Sequence, residues 1–232
     1  MTTLKEYFKS GFRDWRNEIF EYRYLILLSL LIVVIATFLD YFSGVYVSTT
    51  KVAHVPDLIL DHFGPYDVSF FYTYGYMLLC ITLFLYPLLF HIRTLHMVIS
   101  QFSFLVVLRA VFLIFTHLQT PLDAIPVSFP WIFSGLNFKN DMFFSGHTAI
   151  PFLGFFLFKG KIRYFFLCGS IFMAIVVLAT HAHYSIDVFS AFFITYCCYK
   201  IGNVVLEKGE PFIKRPPPSQ IPLRTAPSSR AD

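Results

Sequence analysis

Six apolar stretches alternate with shorter polar connections along this chain. They run at about residues 24–41, 69–90, 95–116, 143–158, 164–180 and 186–204. Most approach the ~20 helical residues needed to cross a bilayer. The pattern predicts an all-α, polytopic integral membrane protein built as a six-helix bundle.

The composition agrees with this prediction. Hydrophobic residues make up 56% of the 232 residues and charged residues only 14%, and the mean hydropathy is +0.64. A soluble domain is far less apolar. The expected partner is therefore a lipid bilayer, and no nucleic-acid partner is expected.

The two ends of the chain differ from the middle. Residues 1–23 mix basic, acidic and aromatic side chains at near-helical spacing, which predicts a cytoplasmic amphipathic helix lying on the membrane surface. A solvated charged tail is the alternative. Residues 24–204 form the predicted six-span domain. Residues 205–232 are rich in proline and charge and cannot bury enough apolar surface to fold, so a disordered cytoplasmic tail is predicted.

Basic residues predict the orientation of the spans. They precede the first span, lie between the second and third and between the fourth and fifth, and follow the sixth, whereas only Lys51 and Lys139 lie in the other set of loops. Because cytoplasmic loops carry the excess of Lys and Arg, both termini are predicted to be cytoplasmic. The loops that carry His147, His183 and Asp187 then face the periplasm, lumen or exterior.

Catalytic-type side chains are concentrated in two short segments. One is Asp141-Met-Phe-Phe-Ser-Gly-His147-Thr148 and the other is His183-Tyr-Ser-Ile-Asp187. Residues four apart on a helix share one face, so the Asp187 carboxylate can contact the His183 imidazole. Such a contact orients the ring for nucleophilic or acid–base chemistry.

Arg109 lies inside the third apolar stretch, roughly 10 Å from its outer end at ~1.5 Å per residue. A charge at this depth costs about 2.5 to 3.5 kcal/mol unless it is paired or reaches water. We expect Arg109 to pair with Asp187 or Asp141, or with a substrate phosphate. Snorkelling to the interface is the alternative.

The Ser145-Gly146 pair predicts a turn into the fourth helix, with Ser145 as N-cap and free NH groups that favour an anion. Pro151 cannot donate to the carbonyl of His147. The helix is therefore expected to begin just after the histidine or to bend there, leaving His147 at an exposed rim. Asp57 lies in the loop between the first two spans. The sequence of this loop is explained equally well by an interfacial loop without a function and by a lipid-binding loop.

Together these segments resemble the type 2 phosphatidic acid phosphatase superfamily, and more specifically its sphingomyelin synthase-like branch. The family's four motifs correspond to residues 55–61, to Arg109 through Thr116 and Pro121, to residues 141–148 and to residues 183–187. Two departures occur: the family's Leu-Pro does not follow Thr116 closely, and Lys139-Asn140 replaces the usual Cys-Gly.

The resemblance implies a catalytic triad of His147, His183 and Asp187, with Arg109 and Asp141 in support. Ser145, Gly146 and Asp57 are further candidates for phosphate binding or support. It implies a transferase that moves a phospho-headgroup from a membrane phospholipid donor to a lipid-alcohol acceptor such as ceramide, with His183 attacking phosphorus and no metal or other cofactor.

The residues alone leave several alternatives open. Exchanged roles for the two histidines, or His183 as a base for direct attack, fit the same side chains. A lipid phosphate phosphatase or phospholipase C-like hydrolase is the second function. A non-enzymatic or metal-handling membrane protein is the third, with ligands drawn from His147, His181, His183 and Asp187.

Overall fold

The computed structural model describes residues 4–130 and 138–213, and these residues form an all-α protein. Its helices are α1 (Leu4–Thr49), α2 (Tyr76–Phe90), α3 (Ile92–Phe115), α4 (Gly146–Leu157), α5 (Lys161–Ala179) and α6 (Ser185–Ile213). A π-helical turn, Phe71–Gly75, runs directly into α2. A short 3-10 turn, Leu60–His62, lies in the loop after α1. The predicted fold class is confirmed.

Five of these helices, with α2 counted together with the π-helical turn before it, are long and apolar enough to cross a membrane, so the chain is a multi-pass membrane protein. The exception is α4, which has 12 residues and a length of about 18 Å against a hydrocarbon layer of about 30 Å. The predicted fourth span began too early, at residue 143. Phe143 has a φ of 60°, which a right-handed helix does not accept.

Helix α1 joins two segments that the sequence predicted as separate. It runs without a break through residue 23, where an interfacial helix was expected to end. No proline interrupts residues 4–49, so nothing in the chain ends the helix there. The indole of Trp15 donates to the Leu88 carbonyl at 2.8 Å, and Arg93 pairs with Glu18 at 3.0 Å. This part of α1 therefore packs on the turn between α2 and α3.

The hydrophobic core lies between α2, α3, α4, α5 and α6. Helix α4 packs tightly against α5, because a Cβ at Gly154 would lie 2.6 Å from the Phe166 ring. Small residues allow this close approach of helices in membranes. Helix α6 continues to Ile213, beyond the predicted boundary at residue 204. The rest of the predicted tail, residues 214–232, lies outside the described residues.

The two ends of the bundle are built differently. At one end, single-residue and three-residue connections join α2 to α3 and α4 to α5. At the other end, three longer connections meet through backbone hydrogen bonds: Ala53 to His117 at 3.1 Å, Tyr66 to Ala179 at 2.7 Å and Ile125 to Thr180 at 2.9 Å. The predicted catalytic residues lie toward this second end, which we call the loop end.

Candidate active site

His183 and Asp187 form a buried pair at the start of α6. His183 lies two residues before the first residue of the helix, and Asp187 lies in its first turn. The His183 Nδ1 atom is 3.3 Å from Asp187 Oδ2, which also accepts the Tyr184 backbone NH at 3.2 Å. Both side chains are buried, at 5% and 0% exposure. The predicted contact is confirmed, although the histidine lies just outside the helix.

Asp57 holds the start of α6 from the loop after α1. Its Oδ2 atom accepts the Ser185 backbone NH at 2.7 Å and the Ser185 hydroxyl at 2.8 Å. Its Oδ1 atom accepts the backbone NH groups of Ile59 and Leu60 at 2.9 and 3.1 Å. Burial acts to raise the pKa of Asp57, but these hydrogen bonds outweigh it, and the pKa lies below its ordinary value. Asp57 is thus part of the scaffold beneath His183.

His147 lies in the first turn of α4 and is half-buried among aromatic rings. Its ring centre is 4.1 Å from that of Tyr72, 4.0 Å from that of Tyr76 and 6.1 Å from that of Phe129. Helix α4 begins before the histidine, so the expectation of a later start was wrong. Its Nε2 atom is buried and has no hydrogen-bond partner among the described residues.

The two histidines lie close together. Their ring centres are 6.4 Å apart, so one small group bound beside them could contact both imidazoles. The backbone NH of Ser145 donates to the Asp187 carbonyl at 3.1 Å, which ties the start of α4 to the start of α6. Ser145 occupies the N-cap position, as predicted, but its side chain makes no capping hydrogen bond; its hydroxyl instead accepts from Thr148 at 3.4 Å.

Arg109 pairs with two carboxylates. Its Nη1 atom is 3.0 Å from Asp40, and its Nη2 atom contacts Asp141. The predicted pairing with Asp141 is confirmed, whereas Asp187 is not a partner and the side chain does not snorkel away. A Cβ at Gly146 would lie 3.4 Å from Arg109 Nε, so this glycine gives the guanidinium access to the start of α4.

Asp40 was missed by the sequence reasoning, although a signal was present. It is the one acidic residue among the apolar residues 24–49 of α1. An ionisable group inside a membrane span is rare and usually has a partner or a function. The rule that singled out Arg109 therefore also applied to Asp40.

The backbone before Asp141 is held by a pair of reciprocal hydrogen bonds. The Thr120 NH donates to the Asn140 side-chain oxygen, and the Asn140 NH donates to the Thr120 hydroxyl, both at 3.1 Å. Asn140 has a φ of 60°, which asparagine tolerates better than most residues. These residues lie at the two departures from the family motifs, and here they contact each other.

His181 belongs to a second histidine–carboxylate pair, separate from His183 and Asp187. Its Nδ1 atom is 2.9 Å from Asp123, so its ring is engaged by the connection after α3. Among the described residues, no three His, Cys, Asp or Glu side chains are arranged to hold a metal ion. The ligand set that the metal-handling alternative required is thus not assembled.

A cavity of about 290 Å³ lies beside the site at the loop end. None of His147, His183, Asp187 and Arg109 lines this cavity. Its wall does include residues that support His183. The lining residues are His54, Val55, Asp57, Leu60, Asp61, His62, Phe63, Gly64, Pro121, Asp123 and Tyr184. Because none of the predicted catalytic side chains lines it, the cavity adjoins the candidate active site without being part of it.

Comparison with known proteins gives no match. No protein-family model matches the chain, and no curated protein or solved structure is significantly similar to it. The resemblance to the sphingomyelin synthase-like branch therefore depends on the sequence motifs alone.

Proposed function

We propose that this protein is a membrane phosphotransferase that moves the phospho-headgroup of a glycerophospholipid to a lipid alcohol such as ceramide. One observation carries the proposal: the ring centre of a buried histidine held by a carboxylate lies 6.4 Å from that of a second, half-buried imidazole. This pairing suits a reaction that needs a nucleophile and a proton donor on either side of one phosphorus atom.

In the first half of the proposed reaction, His183 Nε2 attacks phosphorus. The bond between phosphorus and the diacylglycerol oxygen breaks, and His147 gives its proton to that oxygen. The products are diacylglycerol and a phosphohistidine that carries the headgroup. Asp187 stabilises the positive charge that the His183 ring acquires, as a carboxylate hydrogen-bonded to the other ring nitrogen does.

In the second half, His147 takes the proton from the acceptor hydroxyl, whose oxygen attacks the phosphohistidine. The phosphorus–nitrogen bond breaks and His183 is restored. A protein that uses a lipid acceptor must keep water from this intermediate. The aromatic residues around His147 support such exclusion, and they are Tyr72, Tyr76 and Phe129.

Arg109 is proposed to act as a structural support for the candidate active site. Its Nη1 and Nη2 atoms bond to Asp40 and Asp141, which fixes the guanidinium beside Gly146 at the start of α4. This position supports the helix turn that carries His147. The free NH groups of that turn favour the phosphoryl oxygens.

The decisive experiment uses the purified full chain in liposomes with headgroup-labelled phospholipid. With ceramide added, the proposal expects diacylglycerol and a new headgroup-bearing lipid in equal amounts. Without an acceptor it expects little water-soluble headgroup phosphate. His183→Ala is the inactive control, and His91→Ala, which changes an exposed histidine at the opposite end of the bundle, is the matched control that keeps activity.

Release of water-soluble product at a rate indifferent to every acceptor tested would replace the transferase by a hydrolase. No turnover of any phospholipid or lipid phosphate would reject both. Profiling the lipids of cells that express the chain identifies the headgroup and acceptor, since a transferase depletes one lipid class as another accumulates.

For the orientation, we propose that both termini are cytoplasmic and that the active site opens on the opposite side of the membrane. The positive-inside rule supports this, because Arg93 and Lys161 lie at the end away from the loop end. Cysteine probes at positions 139 and 161 test it in intact cells. Labelling from outside at 139 but not at 161 is expected, and the reverse pattern would invert the topology.

A further inference from the structure

Among the described residues, two tyrosines and no carboxylate lie against the His147 ring, which is an unusual setting for a proposed catalytic histidine. The Tyr72 and Tyr76 ring centres are 4.1 and 4.0 Å from that of the imidazole, each tilted by 34°. These separations are shorter than the roughly 4.5 to 7 Å that aromatic pairs usually keep. Turning the imidazole in place would drive its edge into a tyrosine ring.

The tyrosines are themselves fixed in place. Tyr72 lies in the π-helical turn, where the neighbouring Thr73 hydroxyl donates to the Ser128 carbonyl at 3.1 Å. Tyr76 begins α2 one turn later and packs against the hydrophobic core. Single π-helical turns recur at functional sites in proteins. Here the turn carries Tyr72, and the four-residue spacing presents both rings to one imidazole.

We infer that Tyr72 and Tyr76 are positioning residues that hold the plane of the His147 imidazole through their ring faces. The inference depends on the proposed function only for its effect on turnover; the orientation of the ring is measurable without any substrate. Because misplacing a catalytic group by about 1 Å can cost a factor of 100 in rate, loss of either ring face reduces kcat while leaving substrate binding largely intact.

The variants are chosen to separate the ring face from the hydroxyl and from bulk. Tyr72→Phe and Tyr76→Phe keep the face, whereas Tyr72→Leu and Tyr76→Leu keep an apolar side chain without it. Tyr74→Leu is the matched control, since Tyr74 lies on the same turn but is 53% exposed. Folding is checked by size-exclusion profile and thermal unfolding. If a leucine variant does not fold, methionine replaces leucine at that position.

The first readout is the NMR spectrum of histidine-labelled protein in nanodiscs, with the His147 signals assigned from a His147→Gln variant. Because replacing a tyrosine removes its ring current whether or not the imidazole turns, the orientation is read from NOEs between the His147 ring protons and those of Phe129 and His183, whose ring centres lie 6.1 and 6.4 Å away. The leucine variants are expected to change the pattern of these NOEs, and the phenylalanine variants and Tyr74→Leu to leave it in place. An unchanged NOE pattern in both leucine variants would overturn the inference.

The second readout is steady-state kinetics against pH. Tyr72→Leu and Tyr76→Leu are expected to lower kcat by about 10- to 100-fold, to change KM by less than about threefold and to alter the pH profile of kcat. The phenylalanine variants should restore wild-type behaviour. An NOE pattern that changes while kcat and its pH profile do not would also overturn the inference. If the wild-type chain shows no turnover, the proposed function fails, and the NMR result still decides whether the tyrosines hold the ring.

Discussion

The starts of α4 and α6 each hold one histidine of the candidate site, but by different means. At α6, His183 bonds to the Asp187 carboxylate, and Asp57 secures the same turn through Ser185. At α4, His147 rests against Tyr72 and Tyr76. Hydrogen bonds and charge orient the first ring, whereas shape and contact orient the second.

This difference suggests how the work is divided in the proposed reaction. A carboxylate stabilises the positive charge of an imidazolium, which suits a histidine that becomes covalently bound to phosphorus. A ring held by aromatic faces keeps its direction without a bonded carboxylate, which suits a histidine that gives and takes a proton. The surroundings therefore favour His183 as nucleophile over the exchanged assignment.

The largest effect expected is from removing the histidines themselves. His183→Ala should abolish turnover, because no nucleophile remains. His147→Ala should reduce turnover of natural phospholipids by about 10²- to 10⁴-fold, the usual contribution of a general acid. A substrate with a phenolic leaving group needs no proton donor, so its turnover should survive in His147→Ala but not in His183→Ala. The opposite pattern would exchange the two roles.

Asp187→Asn should reduce kcat by about 100-fold or more, because an amide does not stabilise the imidazolium or select the ring tautomer as a carboxylate does. Of the three triad variants it should retain the most activity. Single-turnover assays in liposomes measure this directly. Near-normal kcat in Asp187→Asn would remove the contrast between the two histidines, since His183 would then need no carboxylate.

Arg109, with its partners Asp40 and Asp141, is proposed to support the turn of α4 that carries His147. Arg109→Lys and Asp40→Asn should each lower kcat by about 10- to 100-fold, because lysine lacks the two-pronged geometry that joins two carboxylates. The double variant should be less harmful than the product of the single effects, since both disturb one contact. Thr37→Val, an exposed change one turn away on α1, is the control. Independent effects would show that Asp40 does not act through Arg109.

The smallest effect on turnover is expected at Asp57, which should instead affect stability. Asp57→Asn should lower the free energy of unfolding by about 1 to 3 kcal/mol and change kcat only a few-fold. Asp67→Asn, which alters an exposed side chain that accepts hydrogen bonds from Ser69, should change neither. Thermal unfolding in detergent provides the measurement.

The pH dependence of the Asp57 effect has a definite sign. The folded pKa of Asp57 lies below its ordinary value of 3.8, so the ionised carboxylate contributes its full stability above pH 3.8. That contribution is lost as the pH falls through the folded pKa. The difference in stability between wild type and Asp57→Asn should therefore shrink below pH 3.8. A difference that stayed constant would mean that charge on Asp57 is unimportant.

Local patterns accounted for much of the fold. The helices formed where apolar stretches are long, and the errors occurred at boundaries. Phe143 was counted within a span because it is apolar, yet its backbone conformation keeps it out of α4. The break expected at residue 23 failed because a change from charged to apolar side chains alters the surroundings of a helix without ending it.

The site was predictable to the extent that its contacts are local. His183 and Asp187 are four residues apart, and that spacing by itself brings them within reach. Arg109 demanded a partner because of its depth in an apolar stretch, and Asp141 was among those expected. Asp40 was not among the expected partners. A buried charge in an apolar stretch indicates that a partner exists, but it does not indicate which helix supplies that partner.

The sequence by itself thus determined the membrane class, the approximate positions of six helices and the His183–Asp187 pair, because apolar length and short spacing act within a few residues. Only the tertiary structure decided that Tyr72 and Tyr76 meet His147, that Asp40 meets Arg109, that Asp57 reaches Ser185 and that Thr120 bonds Asn140. Each of these contacts joins residues at least 20 positions apart in the sequence, and the pair with the smallest separation is Thr120 and Asn140. Such contacts depend on how whole helices pack and how the connections between them fold, which many weak interactions set together.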